Sequence, residues 1–403
     1  MMSTPQPSSP RRARTAIVAG GGVAGPVAAM ALRKAGIEAV VYEPYAPGTG
    51  SRGGAITLAS NGQNALATVG ADKAVRDAGW VTPRMIIQSG TGKVLASMDD
   101  LPGLPPRVTL PRGALVDALQ RTAADQGIEF RFGKRFADAV DTGHSVIAQF
   151  DDHTTAEADV LIGCDGIRST VRSRIDPAAP VPRYTGLIGL GGYVDGTGVP
   201  DTGGAWHFVF GRRAFFGYVV HGDHASWFAN MPVKRLDRDA LRATGFDEWM
   251  RRMREAFADD AGPALQILDH VTPEGFTTPS PLEDVPHVPV WSKGRIALIG
   301  DAAHATSPSS GQGASLAAES AVELARCLRD LPVEEAFAAY TRRRRGRVER
   351  IIAAAARTNQ SKAAGPIAAR IRDAVMPFVM ERFATPEKSA WQYEYRIDWD
   401  AAA

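Results

Sequence analysis

Thr15-Ala16-Ile17-Val18-Ala19-Gly20-Gly21-Gly22-Val23-Ala24-Gly25 is the stretch on which the fold turns. Its β-rich run, Thr15 to Ala19, stops at glycines, and the alanine-rich run from Val23 to Lys34 reads as a helix closed by Gly36. Ala39 to Tyr42 reads as a second strand ending at Glu43. Strand, glycine turn, helix and strand make a βαβ unit with a right-handed crossover, which implies a parallel sheet. Gly20, Gly22 and Gly25 fill the G-x-G-x-x-G spacing inside that unit. The first permits the tight turn, the second lets a pyrophosphate approach the backbone, and the third lets helix pack on strand. Free N–H groups at the helix start, around Val23 and Ala24, and the positive end of the helix dipole favour phosphate there. Glu43 stands where a carboxylate can accept hydrogen bonds from a ribose diol. This much serves NAD and FAD equally.

A second segment separates them. Arg295 to Ile299 reads as a strand ended by Gly300-Asp301-Ala302-Ala303-His304, and Pro308-Ser309-Ser310-Gly311-Gln312-Gly313 then opens a long helix. Asp301 at a strand end can hold ribityl hydroxyls. A helix beginning at Gly311, Gly313 and Ala314 can present N–H groups to the N1 and O2 edge of a flavin, which becomes negative on reduction. The two segments together describe one extended nucleotide gripped at both ends, and that nucleotide is FAD.

Between them the texture changes. Met85 to Gln88 and Lys93 to Met98 read as a hairpin, and Arg107 to Leu110 as a strand leading into a helix at Pro111-Arg112-Gly113. Ala158 to Gly163 is a near-continuous apolar strand ending at Cys164-Asp165-Gly166. From about Tyr184 to Val271 lies a distinct stretch, in which aromatic residues from Tyr193 to Phe228 crowd into strand-like alternation and a helix is expected from Asp237 to Phe257. The expected fold class is α/β, a Rossmann-like nucleotide domain with an inserted β-rich substrate domain and C-terminal helices. The expected boundaries are a disordered tail over 1–14, a discontinuous nucleotide domain over 15–80, 105–180 and 285–360, a substrate domain over 81–104 and 181–284, and a C-terminal helix and tail over 361–403.

Composition narrows the partners. The 46 basic residues nearly cancel 44 acidic ones, leaving +2, so no overall field draws nucleic acid or an anionic membrane. Arg11, Arg12 and Arg14 before an apolar run imitate a secretion signal, but the glycines and Pro26 within that run break a membrane helix. Cys164 and Cys327 form no metal-spaced or redox pair, no metal site is expected, and a reducing cytoplasm is the expected compartment. The run Arg342 to Arg345 with Arg347 spreads around several helix faces, which suits solvation or anchoring to carboxylates better than nucleic acid. Oligomeric state is left open.

Three segments in order, the glycine fingerprint, Cys164-Asp165-Gly166-Ile167-Arg168-Ser169-Thr170-Val171-Arg172 and Gly300-Asp301-Ala302-Ala303-His304, resemble those of the class A flavoprotein monooxygenases, the p-hydroxybenzoate hydroxylase group. The chain resembles their compact branch, which includes hydroxylases of tetracyclines and polyketides. The resemblance implies that Asp301 meets the ribityl chain and that the Asp165 segment serves both FAD and the nicotinamide donor. It implies that Arg112 lies near the flavin phosphate and ribityl region, Pro308 near the isoalloxazine, and Arg52 in the loop after the second strand near the flavin. Where many members continue Gly-Gln-Gly with a small residue and Asn, this chain has Ala314 and Ser315, and a hydroxyl or a backbone N–H could replace the amide.

The implied reaction has NADPH or NADH reduce FAD, O2 add at flavin C4a, and the hydroperoxide pass one oxygen atom to an electron-rich aromatic or polyketide-like molecule. Positioning and exclusion of water are then the protein's main tasks. The absence of a second G-x-G-x-x-G suits transient binding of the nicotinamide. Tyr193, His207, Phe216, Tyr218, Trp227 and Asn230 are the expected substrate lining, and His207 and Arg52 the candidates for catalysis. The rival readings are a flavin dehydrogenase or reductase of the same superfamily and a FAD-containing protein that binds a ligand without turnover.

Overall fold

The computed structural model describes residues 12–48, 53–362, 371, 374, 375 and 386–403. Strand Thr15–Ala19 lies inside a six-stranded sheet, between the parallel strands Val160–Gly163 and Glu38–Glu43. Ile296–Leu298 extends the sheet in parallel beyond Val160–Gly163, with Ser292–Lys293 as an antiparallel edge, and Glu129–Phe132 closes the other side. Ala19 is in register with Gly163, and Gly163 with Leu298. The three motifs therefore leave the carboxyl ends of three adjacent parallel strands, the edge at which open α/β sheets bind nucleotides.

Helix Ala24–Lys34 packs against helix Gly313–Asp330, whose residues from Ala314 through Leu328 are all buried. Its buried Glu319, Glu323 and Arg326 therefore need partners inside the domain. It is covered in turn by helix Val333–Lys362. The arginine run on that last helix anchors rather than floats. Arg344 is fully buried with its guanidinium 2.6 Å from Glu319, and Arg347 engages both Glu319 oxygens at 2.9 and 3.0 Å while donating to the Trp391 and Gln392 carbonyls. Burial would raise the Glu319 pKa, but the two guanidiniums outweigh it and hold the group below its usual value.

A seven-stranded sheet carries a second core. It is ordered Phe276–Asp284, Arg183–Asp195, His224–Pro232, Phe215–His221, Trp206–Phe210, Arg84–Ser89 and Val94–Asp99, all antiparallel pairs except the one joining Trp206–Phe210 to Arg84–Ser89. The helix expected over Asp237–Phe257 is two helices. Asp237 caps Arg238–Ala243 by accepting from the Asp239 and Ala240 N–H groups at 3.0 Å, and Gly245, costly inside a helix, starts Phe246–Phe257 afresh. Trp249, Met250, Met253 and Phe257 of the second helix bury one face of the sheet. Among the described residues no helix is long and apolar enough to cross a membrane.

Candidate active site

Two glycines of the first turn are fixed by packing and one by access. Gly20 has φ +111°, and a Cβ there would lie 2.4 Å from the Cys164 carbonyl oxygen; a Cβ on Gly25 would lie 1.9 Å from the Gly20 carbonyl oxygen. No residue with a side chain fits either place. Gly22 is exposed, and a Cβ on it would meet nothing within 4 Å. It lines an open approach to the helix start, where Val23 provides no side-chain cap and the first turn holds no acid. The N–H groups there suit an anion. Glu43 is buried beside this turn, one oxygen accepting from the Gly21 N–H at 2.5 Å and the other from the Tyr45 N–H at 3.1 Å. Gln120 steadies the same turn by donating to the Gly21 carbonyl at 2.8 Å.

Gly300 joins the two ends of the site. Its φ is +58°, and a Cβ would lie 2.9 Å from the Ala24 Cβ and 3.5 Å from the Ala317 Cβ. The late motif is thus pressed between the start of the first helix and the first turns of the late one. Arg172, buried in the Asp-Gly segment, donates to the Ala302 carbonyl at 3.0 Å and to the Ile167 carbonyl at 2.6 Å, locking that segment to the late motif. Asp165 uses both carboxylate oxygens within its own loop, accepting from the Ser169 hydroxyl at 2.5 Å and from the Thr170 and Val171 N–H groups at 2.7 and 3.0 Å. Burial raises its pKa against these bonds. Asp165 therefore acts through the shape of its loop.

Asp301 differs. It keeps part of its surface accessible, and no hydrogen bond reaches its carboxylate among the described residues. Burial raises its pKa, and the charge of Arg112, the exposed first residue of helix Arg112–Asp125, offsets part of that rise. An acceptor with no hydrogen-bond partner among the described residues, facing a cation, fits polyhydroxyl recognition. Nearby, Pro308–Ser310 makes one 3-10 turn, Gly311 takes φ +60°, and helix Gly313–Asp330 begins with neither a side-chain cap nor an acid in its first turn. The Ser315 hydroxyl is not available to a ligand. It is buried, accepts from the Ala59 N–H at 3.3 Å, and would meet a Cβ on Gly62 at 2.5 Å. Backbone N–H groups near Ala314 are what this helix start offers. These features fit FAD: an open phosphate approach at Gly22, an unpartnered acceptor at Asp301 and a second bare helix start beyond Gly311.

The aromatic sheet divides the expected lining between its two faces. Tyr193 donates to the Gly53 carbonyl at 3.3 Å, Trp206 donates to Thr109 at 3.0 Å, and Asn230 accepts from Lys362 at 2.8 Å, so their face looks toward the nucleotide domain. Phe208, Phe215 and Phe228 share it: Phe208 stacks on Trp206 at 5.9 Å, Phe228 tilts against Trp206 at 5.6 Å, and Phe215 tilts against both phenylalanines. His207, Phe216, Tyr218 and Trp227 occupy the opposite face, against the expectation. Phe216 and Trp227 are essentially inaccessible, stacked at 5.9 Å, with Phe257 of the covering helix edge-on to Phe216. His207 stacks on Tyr218 at 4.9 Å and pairs with the Gln88 side chain at 3.1 Å, and burial lowers its pKa. The reason is the strand period of two: His207 opposes Tyr218 and Val209 opposes Phe216, so these residues share the helix-covered side while their sequence neighbours take the other. His304 is likewise structural, its Nε2 2.8 Å from the Ser320 hydroxyl and its pKa pushed down to about 3 by burial and by Arg344. Arg52 lies outside the described residues.

Sequence reading missed Lys362, Trp206, Phe208, Phe215 and Phe228. The parity of the strands was the only signal available for the four aromatics. For Lys362 it was the three-residue spacing from Asn359, which places both on one helix face.

The model of the FAD binding domain family matches residues 13–355. Aurachin C monooxygenase/isomerase of Stigmatella aurantiaca is 31% identical over 324 residues, 78% of this chain and 80% of that protein. 6-Hydroxynicotinate 3-monooxygenase of Pseudomonas fluorescens is 30% identical over 357 residues, 83% of this chain and 88% of that protein. In fold, the chain matches Klebsiella pneumoniae HpxO, solved with FAD and uric acid, at a TM-score of 0.82 and 24% identity, over 94% of this chain and 97% of that one.

Proposed function

Since the chain belongs to the FAD binding domain family and is a class A FAD-dependent aromatic monooxygenase, we propose that it draws electrons from NADPH or NADH and inserts one atom of O2 into an aromatic or fused-ring small molecule held between Pro308 and the Tyr193–Asn230 sheet face. The supporting observation is Gly300, wedged between Ala24 and Ala317, which brings two uncapped helix starts to one place. The bound flavin supplies the redox chemistry with O2; the chain supplies grip, orientation and dryness.

The N–H groups from Gly22 to Ala24 would hold the pyrophosphate, Glu43 the turn beside the ribose, and Asp301 with Arg112 the ribityl chain. The start of helix Gly313–Asp330, bare of cap and acid, would stabilise negative charge on a flavin ring held there through its dipole. Phe208, Phe215 and Phe228 exclude water from the reacting side. With His207 on the far side of the sheet, oxygen transfer relies on the electron richness of the substrate itself. Heterocycles of the kind named for the relatives, hydroxynicotinate and urate, are the first compounds to try.

Anaerobic mixing of the FAD-loaded protein with NADPH or NADH, with and without such compounds, tests the reading. Bleaching of the flavin accelerated by a compound, followed by oxygen-18 from O2 in the product, is expected. Bleaching without label in product would turn the assignment to a dehydrogenase, and no bleaching with any pair would sink it.

A further inference from the structure

Helix Val333–Lys362 runs from the late flavin motif to the aromatic sheet. Asn359 donates to the Ser307 hydroxyl at 2.9 Å, immediately before Pro308. Lys362, three residues further on, donates to the Asn230 side-chain oxygen at 2.8 Å, and its ammonium stands 3.9 Å from the Phe215 ring centre and 5.8 Å from that of Phe228. Only 8% of the residue is exposed. No ion pair involves it among the described residues, and no charged side chain perturbs its titration. One amide and two ring faces leave further ammonium protons without an acceptor. An unpaired cation so deep in an apolar setting is costly, and the sheet face around it is the side on which the proposed substrate lies.

We propose that Lys362, held in place by Asn230, receives an oxyanion carried on the aromatic ring of the substrate, a carboxylate or a phenolate, and so makes the enzyme selective for acidic aromatic compounds. The proposal rests on the monooxygenase reading for the position of the substrate. The pair forms where water is excluded, so the charge interaction is strong and the anion returns what burial takes from the lysine. Among the described residues the groups in contact with the Lys362 ammonium are Asn230, Phe215 and Phe228, none of which titrates. Burial pushes its pKa down to about 7. An anion thus binds best when the ammonium is protonated, and its affinity should fall as the pH rises above that value.

The test compares charged and neutral twins on the FAD-loaded protein by calorimetry: 4-hydroxybenzoate and 6-hydroxynicotinate against their carboxamides, and pentafluorophenolate against pentafluoroanisole. At least one charged member should bind about tenfold or more tighter than its twin, and in Lys362→Met the ratio should fall to within about twofold, with flavin content and visible spectrum unchanged. The carboxylate arm and the phenolate arm distinguish which oxyanion is taken. Affinity for the charged member should decline from about pH 7 to 9 in the parent protein and stay level in the variant, a change that a merely structural lysine would not produce. Lys362→Gln serves as the second variant should Met disturb the helix. No charge preference in the parent protein, or a preference that survives in both variants, overturns the proposal. NAD(P)H oxidation in the same titrations separates the two readings. Equal stimulation by charged and neutral twins removes the role of Lys362 and leaves the monooxygenase intact, whereas a Lys362-dependent preference without labelled product does the reverse.

Discussion

The two faces of the seven-stranded sheet are built from alternate residues of the same strands, yet they have opposite fates. On one, Phe216, Tyr218 and Trp227 pack against helices Phe246–Phe257 and Ala264–Leu268 in a closed apolar core. On the other, Tyr193, Trp206 and Asn230 each make a polar contact outside the sheet, to Gly53, Thr109 and Lys362. Both are aromatic, so composition does not tell them apart. What distinguishes them is what covers them: helices that complete a core, or a nucleotide domain that brings polar groups and a cofactor cradle.

Substitutions on each face should separate stability from ligand recognition. The largest effect belongs to the closed face: Trp227→Ala should cost about 3–5 kcal/mol in urea unfolding, because a fully buried ring leaves a cavity. A loss under about 1 kcal/mol would show that this face is not a packed core. Next comes Lys362→Met, which removes a buried cation with no ion pair among the described residues and should stabilise the protein by about 1–3 kcal/mol. The sign follows from its depressed pKa. The folded chain gives up this proton at about 7 where a free lysine keeps it to 10.5, so the penalty is full below pH 7 and fades as pH rises to 10.5. Thermal melts at either end of that window should show the gain at the acid end only. Phe228→Ala on the open face should cost about 1–2 kcal/mol, the residue being half-buried, and should raise the substrate KM more than it lowers stability. The smallest effect is expected for His207→Gln. Turnover should stay within about threefold and its pH profile unaltered, and a lost inflection in kcat against pH would put the histidine back into catalysis.

Much of the nucleotide end was legible because its constraints are local. Gly20, Gly25 and Gly300 hold positions where a Cβ would strike a neighbouring atom, and such demands are written directly in residue type. The position of Asp301 just past a strand could be read from the sequence. Glu43 was read at the end of the second strand, where it stands, though its contact with the Gly21 N–H was not foreseen. The charge run was harder: Arg344 and Arg347 are distributed around the helix, and only the buried Glu319 on another helix makes them an anchor.

By itself the sequence determined that three motifs stand in the order of a FAD-binding chain around an aromatic insert, since glycine spacing and strand endings fix backbone geometry within a few residues. Only the tertiary structure decided which half of the aromatics meets the cofactor domain. A period of two defines two sets of residues without saying which is inward until something covers one of them. It also decided that Lys362 meets Asn230 across 132 residues of chain, a meeting that depends on where a whole helix docks.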